Sequence, residues 1–160
     1  MIRLMEHRDI PRVAEIRVMG WRSAYRGIVS DDFLFNEMLV ATRIPRLMQM
    51  LNDDTEIYIY DDGIIKAFSH ASQYEDDLNF YELGAIYVDP FMQGQGIGTA
   101  MLAHFEKTAA ERSYNNVCLW TFEKNSAARA FYEKHGYKHN GDKKTMQPHG
   151  WKCVYYTKKI

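Results

Sequence analysis

The sequence predicts an α/β (α+β) fold: a mixed, mostly antiparallel central sheet with helices on both faces. Three observations carry this. Apolar residues recur at helical spacing early in the chain, as at Ile44, Leu47, Met48 and Leu51. The period then shortens into strand-like runs broken by turn residues such as Asp61-Asp62-Gly63. After Pro90, helical and strand-like segments alternate. A strand–helix–strand crossover added to a meander mixes parallel with antiparallel pairing. At 160 residues the chain fits one domain with one sizeable core, spanning residues 1–160.

The elements follow in order. Ile2 to Met5 opens as a short strand. Asp9 is placed to cap a helix, with Pro11 tolerated in its first turn. That helix carries Ile10, Val13, Ile16 and Trp21 and runs to about Tyr25. Ser30-Asp31-Asp32 starts another helix, with its acids at the positive end of the dipole. The stripe from Ile44 to Leu51 continues that helical region. Glu56 to Tyr60 and Ile64 to Ala71 pair as a hairpin across the tight turn. Asn79 to Val88 is a third strand, ended by Asp89-Pro90. Ile97, Met101, Phe105 and Ala109 form one face of a helix, and Val117 to Phe122 is a strand. Asn125 opens a helix with Ala128, Phe131 and Tyr132 on one face, stopped by Gly136. Strands at about Tyr137 to Met146 and Trp151 to Lys158 close the order β-α-α-β-β-β-α-β-α-β-β, with a right-handed crossover.

Composition excludes several classes. A formal charge of −1 argues against a nucleic-acid binder. No apolar run approaches a membrane span, and the N-terminus turns polar too soon for a signal peptide. The expectation is a cytoplasmic protein with no membrane partner. Cys118 and Cys153 sit in apolar, strand-like surroundings and read as buried, reduced thiols.

The informative stretch runs from Ile86-Tyr87-Val88 through Asp89-Pro90 to Gln93-Gly94-Gln95-Gly96-Ile97-Gly98-Thr99. It passes from strand to loop to helix N-terminus, where N–H groups lack partners and the dipole is positive. Glycines let backbone approach an anion, so the physical reading is a phosphate cradle. A P-loop would need lysine after the last glycine, and Thr99 stands there. A Rossmann fingerprint counted from Gly94 would need glycine at Thr99 and an opening β-α-β unit.

Val88-x-Pro90-x-x-Gln93-x-x-Gly96-x-Gly98 resembles the cofactor signature Q/R-x-x-G-x-G/A of the GCN5-related N-acetyltransferase (GNAT) superfamily. Asn125 to Tyr137, with Ala128, Phe131, Tyr132 and Gly136, resembles that superfamily's second motif, N-x-x-A-x-x-F-Y-x-x-x-G-F/Y. Trp21-Arg22-x-Ala24-Tyr25-Arg26-Gly27 is similar to a segment common in bacterial members. The resemblance covers nearly the whole chain. It implies a GNAT-like acyl-CoA N-acyltransferase fold, acetyl-CoA as co-substrate and an amine acceptor, small molecule or peptide. It admits a homodimer through sheet edges.

The resemblance also implies roles. Backbone N–H groups from Gln93 through Gly94, Gln95, Gly96, Ile97 and Gly98 to Thr99 would hold the pyrophosphate. Ile86 and Val88, flanking Tyr87, would pair with the pantetheine arm as a pseudo-strand. Gly84 would mark a bulge that exposes an oxyanion-donating N–H, assigned to Ile86. Asn125 would contact the cofactor arm; as a plain helix cap it would serve equally well. Tyr132 would be the general acid, since a tyrosine near pKa ~10 can protonate a thiolate whose conjugate acid lies near ~8.5. Packing beside Phe131 is the alternative for Tyr132.

The acceptor amine must lose a proton, being neutral in roughly one molecule in two thousand at pH ~7. Glu82 is the candidate base, placed by period two on the face of Gly84 and Ile86. His70 on the neighbouring strand is the second choice. A carboxylate of ordinary pKa is a weak base, so burial or a water relay must help. No metal is expected: His135 and His139 are separated by a helix stop, and paired Cys/His spacing is absent. His104 reads as a packed histidine. Glu75-Asp76-Asp77 reads as a solvated loop or as a device for steering a cationic amine. A non-catalytic acetyl-CoA sensor of the same fold is the competing function. The intact Asn125/Tyr132 motif weighs against it.

Overall fold

A computed structural model describes residues 1–160. The strands are β1 (Ile2–Leu4), β2 (Ile57–Asp61), β3 (Ile65–Gln73), β4 (Phe80–Val88), β5 (Asn116–Phe122), β6 (Lys138–Met146) and β7 (Trp151–Lys159). The helices are α1 (Ile10–Ala24), α2 (Val40–Asn52), α3 (Ile97–Glu111) and α4 (Ser126–Lys134). The strands form one mixed sheet in the order β1-β2-β3-β4-β5-β7-β6, with β4–β5 parallel. This is the element order and the fold class expected. The chain divides into two compact units, Met1–Ala71 with Ala85–Phe105, and Ser72–Gly84 with Glu106–Ile160.

In the first unit the strands carry apolar side chains on both faces. Phe68 of β3 and Tyr87 of β4 pack with Val13, Ile16 and Leu47 of α1 and α2. Their neighbours Ala67, Ile86 and Val88 pack with Ile97 and Met101 of α3. Adjacent residues thus serve opposite faces, as strand alternation dictates. Within the α2 stripe Leu47 is fully buried, but Met48 is 44% exposed. Met50 and Leu51 pack on the core instead. The π turn Phe33–Glu37 precedes α2, and Ser30 accepts from Phe33 N at its start.

Asp9 does not cap α1 with its side chain. Arg3 of β1 takes that carboxylate in a two-pronged bond of 2.7 and 3.1 Å. Glu6 N donates to the same group. Arg3 also bridges to Asp61, which stitches β1, the helix entry and the end of β2 together. A two-pronged bond to a cation outcompetes a single bond to an uncharged backbone N–H of α1. Both carboxyls are held below their usual range, chiefly by the Arg3 hydrogen bonds.

In the second unit β5 lies between the first half of β4 and β7. Val117, Leu119, Tyr137 and Tyr156 are buried. Lys158 of β7 donates to Glu106 at 2.8 Å and lies over the Tyr137 ring. Cys118 and Cys153 are free and buried, and burial pushes the Cys118 thiol up to about 12. Neither is a nucleophile at neutral pH.

Candidate active site

In the first unit, β4 ends at a tethered corner. Asp89 is 3% exposed and accepts from Phe91 N at 2.9 Å, capping a short turn over Pro90–Met92. Arg12 of α1 pairs with the same carboxylate and also donates to Ile65 O. Gly94 and Gly96 then adopt φ of +78° and +77°. An L side chain is strained there, which explains glycine at both positions. A Cβ at either would meet nothing within 4 Å, so the loop presents open backbone. Gln93 to Gly96 are exposed, while Ile97 is buried and pins the start of α3. Ala100 N donates to Gly96 O, closing the first helical turn. The N–H groups ahead of it are those that a helix cannot satisfy internally. The loop therefore fits an anionic diphosphate: backbone donors, a helix N-terminus and no side chain in the way.

The strand leading to this loop has a directed edge. Asp89 N donates to Lys66 O on β3 at 2.8 Å. By alternation the N–H groups of Val88 and Ile86 point to the opposite edge of β4, and that of Tyr87 points with Asp89. The Tyr87 side chain is engaged elsewhere. It stacks on Phe68 with centroids 5.5 Å apart, and its hydroxyl lies 3.1 Å from that of Tyr25.

Removing the Asp89 carboxylate should undo the corner. Asp89→Ala removes the buried carboxylate partner of Arg12, leaves it only the exposed Glu15 and the Ile65 carbonyl, and costs about 2–4 kcal/mol of stability. Urea unfolding measures this. Affinity of the loop for a diphosphate ligand should fall by about tenfold, because the loop loses its anchor.

The β3–β4 hairpin carries one extra residue. Tyr74 N bonds Phe80 O and Asp89 N bonds Lys66 O, so eight steps on β3 face nine on β4. A bulge of this kind shifts the side-chain alternation by one. Glu82 and Ile86 lie on either side of Gly84, Glu82 in the second unit and Ile86 in the first. Glycine at position 84, unfavourable inside a regular strand, is the sequence signal of the interruption.

In the second unit Glu82 pairs with Cys118 across the β4–β5 ladder, which stops at Leu83–Leu119. Its face continues along β5 to Trp120, which packs 4.8 Å from Tyr155 and donates to the Tyr74 hydroxyl. Lys144 lies over the Trp120 ring at 4.2 Å. Glu82 is half-buried, and that burial raises its pKa above the usual carboxylate range. Lys144 opposes the shift, and Asp76 and Glu75 reinforce it. The acidic loop thus acts on Glu82 electrostatically.

Asn125, 9% exposed, caps α4 by accepting from Ala128 N at 3.2 Å. The cap reading of this residue is therefore realised. Tyr132 is 8% exposed on α4. Its ring meets Phe131 edge-on at 5.4 Å and Tyr137 at 5.8 Å. Gly136 ends the helix at φ +86°. His70, in the first unit, is brought down to about 4 by burial and by the charges of Arg17 and Arg46. That environment keeps its imidazole neutral at physiological pH. His104 packs on Tyr58, with ring centroids 4.4 Å apart. The Arg17 and Arg46 environment had no sequence signal, because α1, α2 and β3 converge only on folding.

The fold and the glycine loop define a protein with a backbone cradle for an anionic diphosphate at a helix N-terminus, and comparison with known proteins names its family. Residues 21–137 match the model of the acetyltransferase (GNAT) family, and the chain belongs to that family. It is 26% identical over 156 residues to the Probable N-acetyltransferase Rv2775 of Mycobacterium tuberculosis, covering 92% of this chain and 84% of that protein. It is 35% identical over 89 residues to the uncharacterized protein YxbD of Bacillus subtilis, covering 56% of this chain. The chain spans about half the length of that relative, 48%. The PaiA N-acetyltransferase of Thermoplasma acidophilum, solved with coenzyme A, superposes with a TM-score of 0.76 at 19% identity, covering 100% and 98% of the two chains. A GCN5-related N-acetyltransferase from Rhodopseudomonas palustris gives 0.78 at 18% identity, covering 100% and 95%. At such identities the likeness is one of fold.

Proposed function

We propose that the protein transfers the acetyl group of acetyl-CoA to a primary amine by direct attack. The observation that carries this is the loop from Gln93 to Thr99, whose left-handed glycines at positions 94 and 96 leave backbone donors open before α3. Family membership supports the choice of acetyl-CoA as its ligand. Acetyl-CoA supplies an activated acyl carbon held as a thioester. Gln93 to Thr99 bind its pyrophosphate, and the Ile86 carbonyl and the Val88 N–H pair with its pantetheine arm as a strand edge would. The Ile86 N–H donates to the carbonyl oxygen as charge builds there. Glu82 takes the ammonium proton through a water, and Tyr132 gives its proton to the departing sulfur. The N–C bond forms as the acyl carbonyl becomes an oxyanion; when the C–S bond breaks, the second proton of the nitrogen passes through water to the Tyr132 phenolate and restores it, and Glu82 releases its proton to solvent, leaving an amide and free CoA.

The test is a thiol-release assay of acetyl-CoA against a panel of small amines, amino acids and peptides. Release that depends on one class of amine is the expected result. Tight acetyl-CoA binding with no release against any amine would instead establish a sensor.

A further inference from the structure

Three arginines of the first unit stand apart from the rest. Arg3, Arg8, Arg12 and Arg26 each have a carboxylate partner. Arg22 donates to the carbonyls of Leu34 and Met38. Arg17 of α1 and Arg43 and Arg46 of α2 form no ion pair. Arg17 Nε is buried without a hydrogen-bond partner. Arg43 and Arg46 lie three apart and so share a helix face. His70 is paired with Ile57 as Phe68 is with Ile59, so it lies on the sheet face that α1 and α2 cover, and the charges of Arg17 and Arg46 act on both His70 and Arg43 there. The charge of Arg17 also reaches Tyr87, whose hydroxyl meets that of Tyr25.

Such a cluster is costly by itself. Like charges repel, and a buried guanidinium N–H left unbonded forfeits its hydration. Arg22, one turn and a half along the same helix, shows what α1 does with an arginine that serves structure: it ties the π turn down. Nothing ties Arg17. What the cluster lacks is an anion with oxygen acceptors, and guanidinium forks match a carboxylate in shape and charge. A neutral His70 adds a further donor or acceptor without adding charge. The position is also informative, because Tyr87 is the residue next to Ile86, the assigned acyl-oxygen donor.

We infer that Arg17, Arg43 and Arg46, with His70, form a subsite for the carboxylate of the acceptor, so that the acceptor is an amino acid or an amine of that kind. This rests on the proposed acetyl transfer and specifies its second substrate. A polyamine, which is wholly cationic, is disfavoured at such a site.

The experiment sets each common amino acid against its carboxamide and the amine lacking the carboxyl carbon, such as L-lysine, L-lysinamide and cadaverine. CoA release is followed in wild type, Arg17→Gln and Arg46→Gln. In wild type, kcat/KM for at least one acid should exceed that of its amide by about tenfold or more, the worth of a charge-assisted bond. In both variants that ratio should fall to within about twofold of unity. Arg46 is exposed, so its variant keeps the test open where Arg17→Gln impairs folding. Amides or cadaverine turned over as well as the acids would overturn the inference and leave acetyl transfer standing. If no amine releases CoA, acetyl transfer fails, and binding decides the subsite. The full chain with CoA is then melted with N-acetyl amino acids and with their amides. A stabilisation by the acids alone, lost in Arg46→Gln, supports the subsite; equal shifts or none overturn it.

Discussion

Tyr132→Phe should lower kcat by about 10²-fold while acetyl-CoA affinity stays within about threefold. General acids contribute roughly 10²–10⁴-fold, and a thiolate is a good enough leaving group to place this one at the lower end. The variant keeps the ring that meets Phe131 and Tyr137, so it separates chemistry from packing. If Tyr132 served only the tyrosine-rich packing of α4, phenylalanine would preserve kcat. Stability should change by about 1 kcal/mol or less, the worth of one hydroxyl's hydrogen bonding. Binding and turnover must therefore be measured separately, by calorimetric titration with acetyl-CoA and by thiol release. Wild-type turnover in Tyr132→Phe would remove Tyr132 from the reaction. A further discriminator is the leaving group itself. An acyl donor with a more acidic thiol needs less protonation, so the deficit of the variant should shrink with such a donor.

What could be read from the sequence was what local sterics or periodicity enforce. Gly94 and Gly96 are legible because a left-handed backbone leaves little alternative to glycine. The α3 stripe is legible because Ile97, Met101, Phe105 and Ala109 are all buried on one face. Asn125 and Gly136 mark the two ends of α4 because capping chemistry is local. The features that escaped are those decided by partners distant in sequence. Asp9 has the identity and position of a cap, but Arg3 on a strand claims its carboxylate. Met48 fits the helical period with Leu47 and Leu51, yet the core takes Met50 in its place. Glu82 is legible as a strand carboxylate, but its half-burial and the pull of Lys144, Asp76 and Glu75 on its proton are decided by partners far along the chain. The three arginines lie on two helices 26 residues apart and show their isolation only when their neighbours are known.

The Glu82 assignment has the more diagnostic pH behaviour. Glu82→Gln should lower kcat/KM by about 10²-fold near neutrality, and the loss should diminish as pH rises. The reason is the acceptor. With an amine of pKa ~10.4, only about one molecule in two thousand is neutral at pH ~7, whereas near pH ~10 a large share is neutral without help. A base that removes this proton is thus needed most at low pH. Burial holds the Glu82 pKa above the usual carboxylate range, which strengthens it as a base but also delays its ionisation. The sign follows: wild-type activity rises as pH climbs through this raised pKa, and Glu82→Gln loses that limb. Lys144 opposes the shift, and Asp76 and Glu75 enhance it. Lys144→Met should therefore move the limb upward, and Asp76→Asn with Glu75→Gln should move it downward. A Glu82→Gln profile parallel to wild type across the whole range would assign the proton transfer to another group. Displacement of the limb by Lys144→Met, in a protein that retains Glu82, separates electrostatic tuning of the base from damage to the fold.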